Sequence, residues 1–332
     1  MSGNGTKCGP HILVVRLGAM GDIIHALPAV ASLKHSFPGS RVTWAVEPKW
    51  VDLLEGNPFL DGIAPILRRR LSDVFDTWKR LRSLDAAIAI DFQGLIKSAL
   101  TAAMARPDQI YGFHRSQLRE RAAALFYSTY VTSHSAHVVD KNLELAAAAG
   151  AANVLRAFPL PPGRHEGDLP HGEFILANPL AGWGSKQWPL ENYSRLARRV
   201  HNELGMALVL NGPPAARAIL EGVEGAWTHV SGIPGLIFAT RNAAAVVGLD
   251  SGPLHLAAAL AKPGVGIYGP TDPARNGPYG DTITVLRDAR ANTTYKRRVV
   301  SDESMASIPV DAVFEALKAR LITHSKSSGT SA

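Results

Sequence analysis

Cysteine is almost absent from this chain of 332 residues: there is one, Cys8, close to the start. A single thiol excludes a disulfide-stapled scaffold and any four-cysteine zinc site. Aromatic residues are sparse at 7%, and charged residues make up only 19%. No apolar run reaches the roughly 18–20 residues needed to cross a bilayer, and no secretory leader is visible, which points to a cytoplasmic protein. Metal signatures are missing too. There is no HExxH, and His35, His134, His137 and His165 do not fall at ligand spacing from nearby carboxylates. GxSxG elbows and Walker loops are also absent. Against these gaps stand a hydrophobic content of 46% and a mean hydropathy of +0.02. Such a chain can bury a large core, which excludes disordered and fibrous classes, and its length suits two domains of about 150 residues each.

The charge balance is 35 basic against 28 acidic residues, a net +7. The excess is uneven. Arg68-Arg69-Arg70 and Lys79-Arg80-Leu81-Arg82 flank one stretch, and Arg115, Arg119 and Arg121 form a second cluster. A basic face of this kind suits phosphosugars, nucleic acid or an acidic membrane surface, or is simply a solvated helix face. Aromatics are not interleaved with the basic runs, which argues against nucleic acid.

The first ten residues read as a loose leader. Residues 11–16 (HILVVR) are a continuous apolar run suited to the centre of a parallel sheet. A glycine-rich turn follows at 17–21, then a helix from Asp22 that Pro28 kinks or restarts. Strands are expected at 41–47, 62–67 and 84–90, the last ending at Asp91, with a mostly helical basic stretch at 68–82. Alanine-rich helices are expected around 117–128 and 136–149. Residues 157–173 (AFPLPPGRHEGDLPHGE) have no periodicity and read as a linker. The alternation then restarts, with strands at 174–178, 206–211, 245–249 and 265–268. Helices are expected at 190–203, 214–222, 253–261 and 309–322. The reading is therefore α/β, with two Rossmann-like, doubly wound domains at 11–160 and 170–322 facing a cleft, and a disordered tail at 323–332.

Four segments carry candidate chemistry. Gly18-Ala19-Met20-Gly21-Asp22 lies between a buried strand and a helix. Its spacing is not GxGxxG, which argues against a dinucleotide. Asp22 either caps its own helix or serves as a general base where glycines let a ligand approach. Asp250-Ser251-Gly252-Pro253-Leu254-His255 also joins a strand to a helix. Asp250 or Ser251 suits a cap, Gly252 leaves the helix start open to a diphosphate, and His255 lies one turn in, near a phosphate or packed in the core. Gly269-Pro270-Thr271-Asp272-Pro273 follows the next strand, as a site loop or a plain proline turn. Lys186, in GSKQWP, is placed to neutralise a leaving phosphate, or is solvated. A carboxylate base with a lysine and amides on phosphate is the equipment of metal-independent glycosyl transfer.

These pieces together resemble the bacterial lipopolysaccharide heptosyltransferases, most closely those of type I. The resemblance rests on RLGAMGDIIHALPA (16–29), WAVEP (44–48), DFQGLIKSAL (91–100), LRERAAALFY (118–127), GSKQWP (184–189), GLDSGPLHLAAAL (248–260) and YGPTDP (268–273), in the family's order. It implies a two-domain GT-B fold and inverting transfer of L-glycero-D-manno-heptose from ADP-heptose. For type I it implies Kdo of the lipid A core precursor as acceptor, at the cytoplasmic face of the inner membrane. Partners are then ADP-heptose, Kdo2-lipid A and an anionic membrane surface, with no metal or other cofactor. By the same resemblance Asp22 is the base. Ser185, Lys186, Asp250, Ser251, Gly252, His255 and Thr271 serve the donor, and Gly18, Met20, Arg68, Lys97, Arg119 and His137 the acceptor. Two departures stand out: Pro214-Ala215-Ala216-Arg217 where many members hold ribose with a glutamate, and Ala181-Gly182-Trp183-Gly184 in place of a threonine-rich phosphate loop. Alternatives are a type II enzyme acting on a heptosylated acceptor, a GT-B-like sugar-nucleotide epimerase, and a non-catalytic nucleotide-binding module.

Overall fold

The apolar run at the start of the chain becomes β1 (His11–Val15), buried along its whole length. In a computed structural model describing residues 9–68, 70–182, 186–291 and 303–328, it is the centre of the first of two sheets. The chain divides at Pro161/Pro162 into two units. In the first unit β1 is followed by α1 (Met20–Ser36), β2 (Arg41–Val46), β3 (Gly62–Pro65), α2 (Leu71–Arg82), β4 (Ile88–Asp91), α3 (Ile96–Met104), β5 (Gln109–Phe113), β6 (Thr129–Val131) and α4 (Val138–Ala148). The sheet order is β3-β2-β1-β4-β5-β6, and every pairing is parallel.

The second unit repeats the plan with β7 (Phe174–Asn178), α5 (Leu190–Leu204), β8 (Ala207–Gly212), α6 (Arg217–Glu221), β9 (Trp227–Val230), α7 (Ile233–Asn242), β10 (Ala245–Leu249), α8 (Gly252–Ala259), β11 (Gly264–Tyr268), α9 (Pro273–Asn276), β12 (Ile283–Arg287), α10 (Glu303–Ala306) and α11 (Val310–Ser328). Its sheet order is β12-β11-β10-β7-β8-β9, again parallel throughout. Both sheets thus reverse direction of winding beside their first strand, between β1 and β4 and between β7 and β10. Ligands of doubly wound sheets bind beyond the carboxyl ends of such strand pairs.

Local chemistry accounts for these elements. α5 buries Tyr193, Leu196, Ala197 and Val200, a 3–4 spacing that lays one stripe on the sheet. It stops at Gly205, whose φ of +67° suits glycine and whose N–H bonds to the His201 carbonyl. Gly248 in β10 lets α8 approach closely, since a Cβ there would sit 3.1 Å from Leu254. Residues 151–173 contain no helix or strand. Their first part lies on the first unit, where Leu155 N donates to Ser32 Oγ and Asn57 Nδ2 to the Pro159 carbonyl. Their last part lies on the second, where Arg164 N donates to the Pro234 carbonyl.

The structure corrects several sequence expectations. α1 begins at Met20 and runs unbroken through Pro28. Residues 117–128 are not one helix. They form 3₁₀ turns at Arg115–Gln117 and Arg121–Phe126, because Tyr127 is drawn inward to Asp91. α11 continues to Ser328, through the first part of the segment expected to be a disordered tail. Residues 329–332 lie outside the described residues.

Candidate active site

In the first unit the turn after β1 carries Gly18, Met20 and Asp22. Asp22 is the third residue of α1, and its side chain is one-third exposed. Its Oδ2 accepts from the Ala19 backbone N–H at 3.3 Å and pairs with the Arg16 guanidinium at 2.7 Å. Arg16 is buried, and its other terminal nitrogen donates to the Phe92 carbonyl just beyond β4. The carboxylate is therefore held by groups of the segment after β1, which Arg16 in turn ties to the end of β4. Gln93 adds a second tie, its Oε1 accepting from Leu17 N at 2.8 Å. Gly18 has no room for a side chain, since a Cβ would lie 2.7 Å from Trp50 Nε1. Met20 is buried beneath the turn.

Asp91 anchors the loop that supplies Phe92 and Gln93. It is fully buried and accepts from Tyr127 Oη at 2.7 Å, Ser98 Oγ at 2.8 Å, and the N–H groups of Gln93 and Gly94. Burial nevertheless pushes its carboxyl above the usual range, the hydrogen bonds offsetting only part of that cost. The Tyr127 hydroxyl is pushed up in turn by burial and by the Asp91 charge.

Glu47, at the end of β2, gathers two of the expected acceptor residues. Its Oε1 lies 2.9 Å from Arg68 and 3.4 Å from Lys97, with Lys49 at 3.8 Å from Oε2. A pocket of about 660 Å³ opens here, lined by Glu47, Pro48, Lys49, Ile66, Leu67 and Arg68. Arg119 and His137 do not join this cluster among the described residues. Arg119 is exposed in the bend before Glu120, whose carboxylate accepts from Ile96 N at the start of α3. His137 caps α4, its ring accepting from Val139 N, and meets His25 edge-on at 5.5 Å, one turn along α1 from Asp22.

In the second unit three of the expected donor residues converge on the carboxylate of a fourth. Asp250 follows β10 and is nine-tenths buried. Its Oδ2 accepts from Lys186 Nζ and, at 2.5 Å, from Thr271 Oγ1. Its Oδ1 faces His255 Nε2 at 3.7 Å. Burial alone would raise the Asp250 carboxyl, but the contacts from His255 and Lys186 outweigh it and hold the group well below the usual carboxylate range. Ser251 occupies the cap position of α8 without a side-chain capping bond, donating instead to the Leu249 carbonyl at 3.2 Å. Asp250 likewise orients a lysine and a hydroxyl. Gly252 is the first residue of α8. Ser185 lies outside the described residues.

The arrangement can thus present an ammonium, a hydroxyl and a helix start to an anion in one unit, and a fixed, partly exposed carboxylate in the other. Among the described residues no three of His, Cys, Asp and Glu converge as a metal site, and no helix is long and apolar enough to cross a membrane. Sequence reasoning missed Arg16, Glu47, Gln93 and Tyr127. Arg16 alone left a signal, as a cation closing an apolar strand.

The profile of glycosyltransferase family 9 (heptosyltransferase) matches residues 74–305. Lipopolysaccharide heptosyltransferase 1 of Pseudomonas aeruginosa is 29% identical over 295 residues, covering 81% of each chain. The Escherichia coli protein of the same name is 26% identical over 310 residues, covering 85% of this chain and 94% of its own. An E. coli heptosyltransferase solved with ADP superposes with a TM-score of 0.75 at 24% identity, over 93% of this chain and 99% of its own. E. coli ADP-heptose heptosyltransferase II does so with a TM-score of 0.75 at 21% identity, over 95% and 99%. With the parallel sheets, the Asp250 cluster and a family match spanning most of both units, this chain belongs to glycosyltransferase family 9, the heptosyltransferases.

Proposed function

We propose that the protein is a type I heptosyltransferase, moving L-glycero-D-manno-heptose from ADP-heptose to Kdo of an anionic lipid A precursor at the cytoplasmic face of the inner membrane. The observation that carries this reading furthest is the Asp250 cluster. Lys186, Thr271 and His255 meet at the carboxyl end of β10, beside the start of α8, where a nucleotide diphosphate finds a cation and helix amides. The curated relatives named above support type I.

In this account Lys186 passes from Asp250 to the donor diphosphate and stabilises the charge that develops as it leaves. Asp250 and Thr271 keep the ammonium and the loop after β11 in register while the site is empty. Asp22 takes the proton of the acceptor hydroxyl as that oxygen bonds to the anomeric carbon. The bond from that carbon to the diphosphate oxygen breaks, its electron pair leaving with ADP. One displacement inverts the anomeric centre, so a single base suffices. Arg68 and Lys97, gathered by Glu47, face the acidic groups of the acceptor.

Product analysis tests the reading. With ADP-heptose and Kdo2-lipid A, the acceptor gains one heptose and ADP appears in equal amount. ADP-heptose alone is left unchanged. Epimerised donor, or transfer only to an already heptosylated acceptor, would contradict it.

A further inference from the structure

α2 leaves an apolar stripe in solvent. Leu71 is 90% exposed, Phe75 51% and Trp78 36%. The Phe75 and Trp78 rings stack at 5.6 Å and 26°, and Lys79 Nζ lies 4.3 Å from the Phe75 ring centre. The helix is fixed in rotation from its other side, where Thr77 and Leu81 are buried and Thr77 Oγ1 donates to the Leu67 carbonyl. At about 100° per residue, the three exposed apolar side chains share an arc of about 60°. Arg82 falls inside that arc and Lys79 about 40° beyond its Phe75 edge, whereas Asp73 and Asp76 lie on the far side. Asp73 is turned back to its own helix start, accepting from Arg70 N at 3.0 Å.

An apolar cluster of this size on a soluble surface, rimmed by charge, is often an interaction site. The exposed apolar area is roughly 350 Å², taking about 150–250 Å² for an aromatic side chain. A stable protein interface needs about 800 Å² per partner. The stripe is too small for that, yet an apolar wedge with cations on and beside it matches the headgroup region of an acidic bilayer, where rings lie at the boundary and Lys and Arg reach lipid phosphates. The run leading into α2 adds exposed Arg68 and Arg70.

We propose that α2 seats the protein on an anionic lipid bilayer, with Leu71, Phe75 and Trp78 entering the headgroup region and Lys79 and Arg82 against lipid phosphates. This rests on, and extends, the lipid-anchored acceptor named above. Leu67 and Arg68, immediately before α2, line the pocket beside Glu47, so seating α2 holds that pocket next to the lipid surface.

The test is co-sedimentation of the full chain with vesicles of phosphatidylcholine, alone or mixed with phosphatidylglycerol, with no substrate present. The vesicle result is therefore independent of whether the transferase reading holds. The wild type binds the mixed vesicles, binds phosphatidylcholine much more weakly, and is released by salt. L71S/F75S/W78S weakens binding about tenfold or more, and K79Q/R82Q about fivefold per cation removed. L71S/F75S/W78S melts lower than the wild type, because Phe75 is half-buried and Trp78 more so, and K79Q/R82Q gives up the Arg82 bond to the Ala105 carbonyl. L71S, at a side chain 90% exposed, and K79Q keep the wild-type melting temperature and still weaken vesicle binding. All four variants keep wild-type turnover of a deacylated, water-soluble acceptor. A wild type that stays in the supernatant with mixed vesicles, or variants that bind as it does, would overturn the proposal. So would an L71S/F75S/W78S variant that converts a wild-type dimer to monomer without losing vesicle binding, which would assign the face to a second copy.

Discussion

The Lys186 ammonium rests on the Asp250 carboxylate, a pair nine-tenths buried that joins the segment after β7 to the end of β10. Both strands flank the reversal point of the second sheet. The pair gives Lys186 a defined position before any donor binds. Lys186→Ala is expected to lower transfer by one to a few orders of magnitude, on the scale of about 2–4 kcal/mol for a contact to a developing charge. The loss should fall mainly on kcat, which steady-state kinetics with donor and acceptor varied in turn will show.

The same pair makes a prediction about acid stability. The Asp250 carboxyl is held below its unfolded value, so the folded state binds its proton less tightly than the unfolded chain. Its contribution is present above the unfolded carboxylate value of about 4 and is lost as pH falls below that toward the folded value. Asp250→Asn removes the titration. Denaturant unfolding at successive pH values should show the wild type losing more stability than the variant over that acidic range.

Asp91 and Tyr127 form a structural anchor rather than a reacting pair. Tyr127→Phe removes one donor from a buried carboxyl and is expected to cost about 1–3 kcal/mol of stability, with kcat little changed. Gly112→Ala should cost at least as much, because its Cβ would lie 2.2 Å from the Tyr127 ring and would push the hydroxyl off Asp91. Thermal melts of the two variants check both statements.

The winding of both sheets was legible because β1, β7, β10 and β11 are unbroken apolar runs followed by glycine, proline or aspartate turns. Of the edge strands, β3 was expected at 62–67, whereas β6, β9 and β12 were not. Trp227–Val230 is partly solvated, and Ile283–Arg287 mostly half-buried, so neither shows a continuous run. The 117–128 segment has helical composition, but its fold is decided by Tyr127 reaching Asp91, 36 residues away. The donor residues Lys186, Asp250, His255 and Thr271 stood out because each follows a strand or opens a helix. Glu47 did not, because its role comes from cations just after β3 and on α3, a convergence that spacing along the chain does not reveal.

Lys97→Gln removes one of those cations. It is expected to raise KM for the anionic acceptor about tenfold, a charge-assisted contact discounted for its exposure. KM for ADP-heptose should not change. Wild-type acceptor affinity in this variant would remove Lys97 from acceptor binding.

The central claim is that Asp22 takes the proton in a single inverting transfer. Asp22→Asn keeps the side chain's size and its contact to Ala19 N while removing the base, so kcat and melting temperature of this variant, measured together with both substrates saturating, test it most directly. The account predicts a folded protein, lowered in melting temperature by loss of the charge opposite buried Arg16, whose kcat falls about 10²- to 10⁴-fold when assayed well below that melting temperature. A folded variant that keeps most of the wild-type kcat would contradict it and leave Asp22 as a helix-end residue held by Arg16.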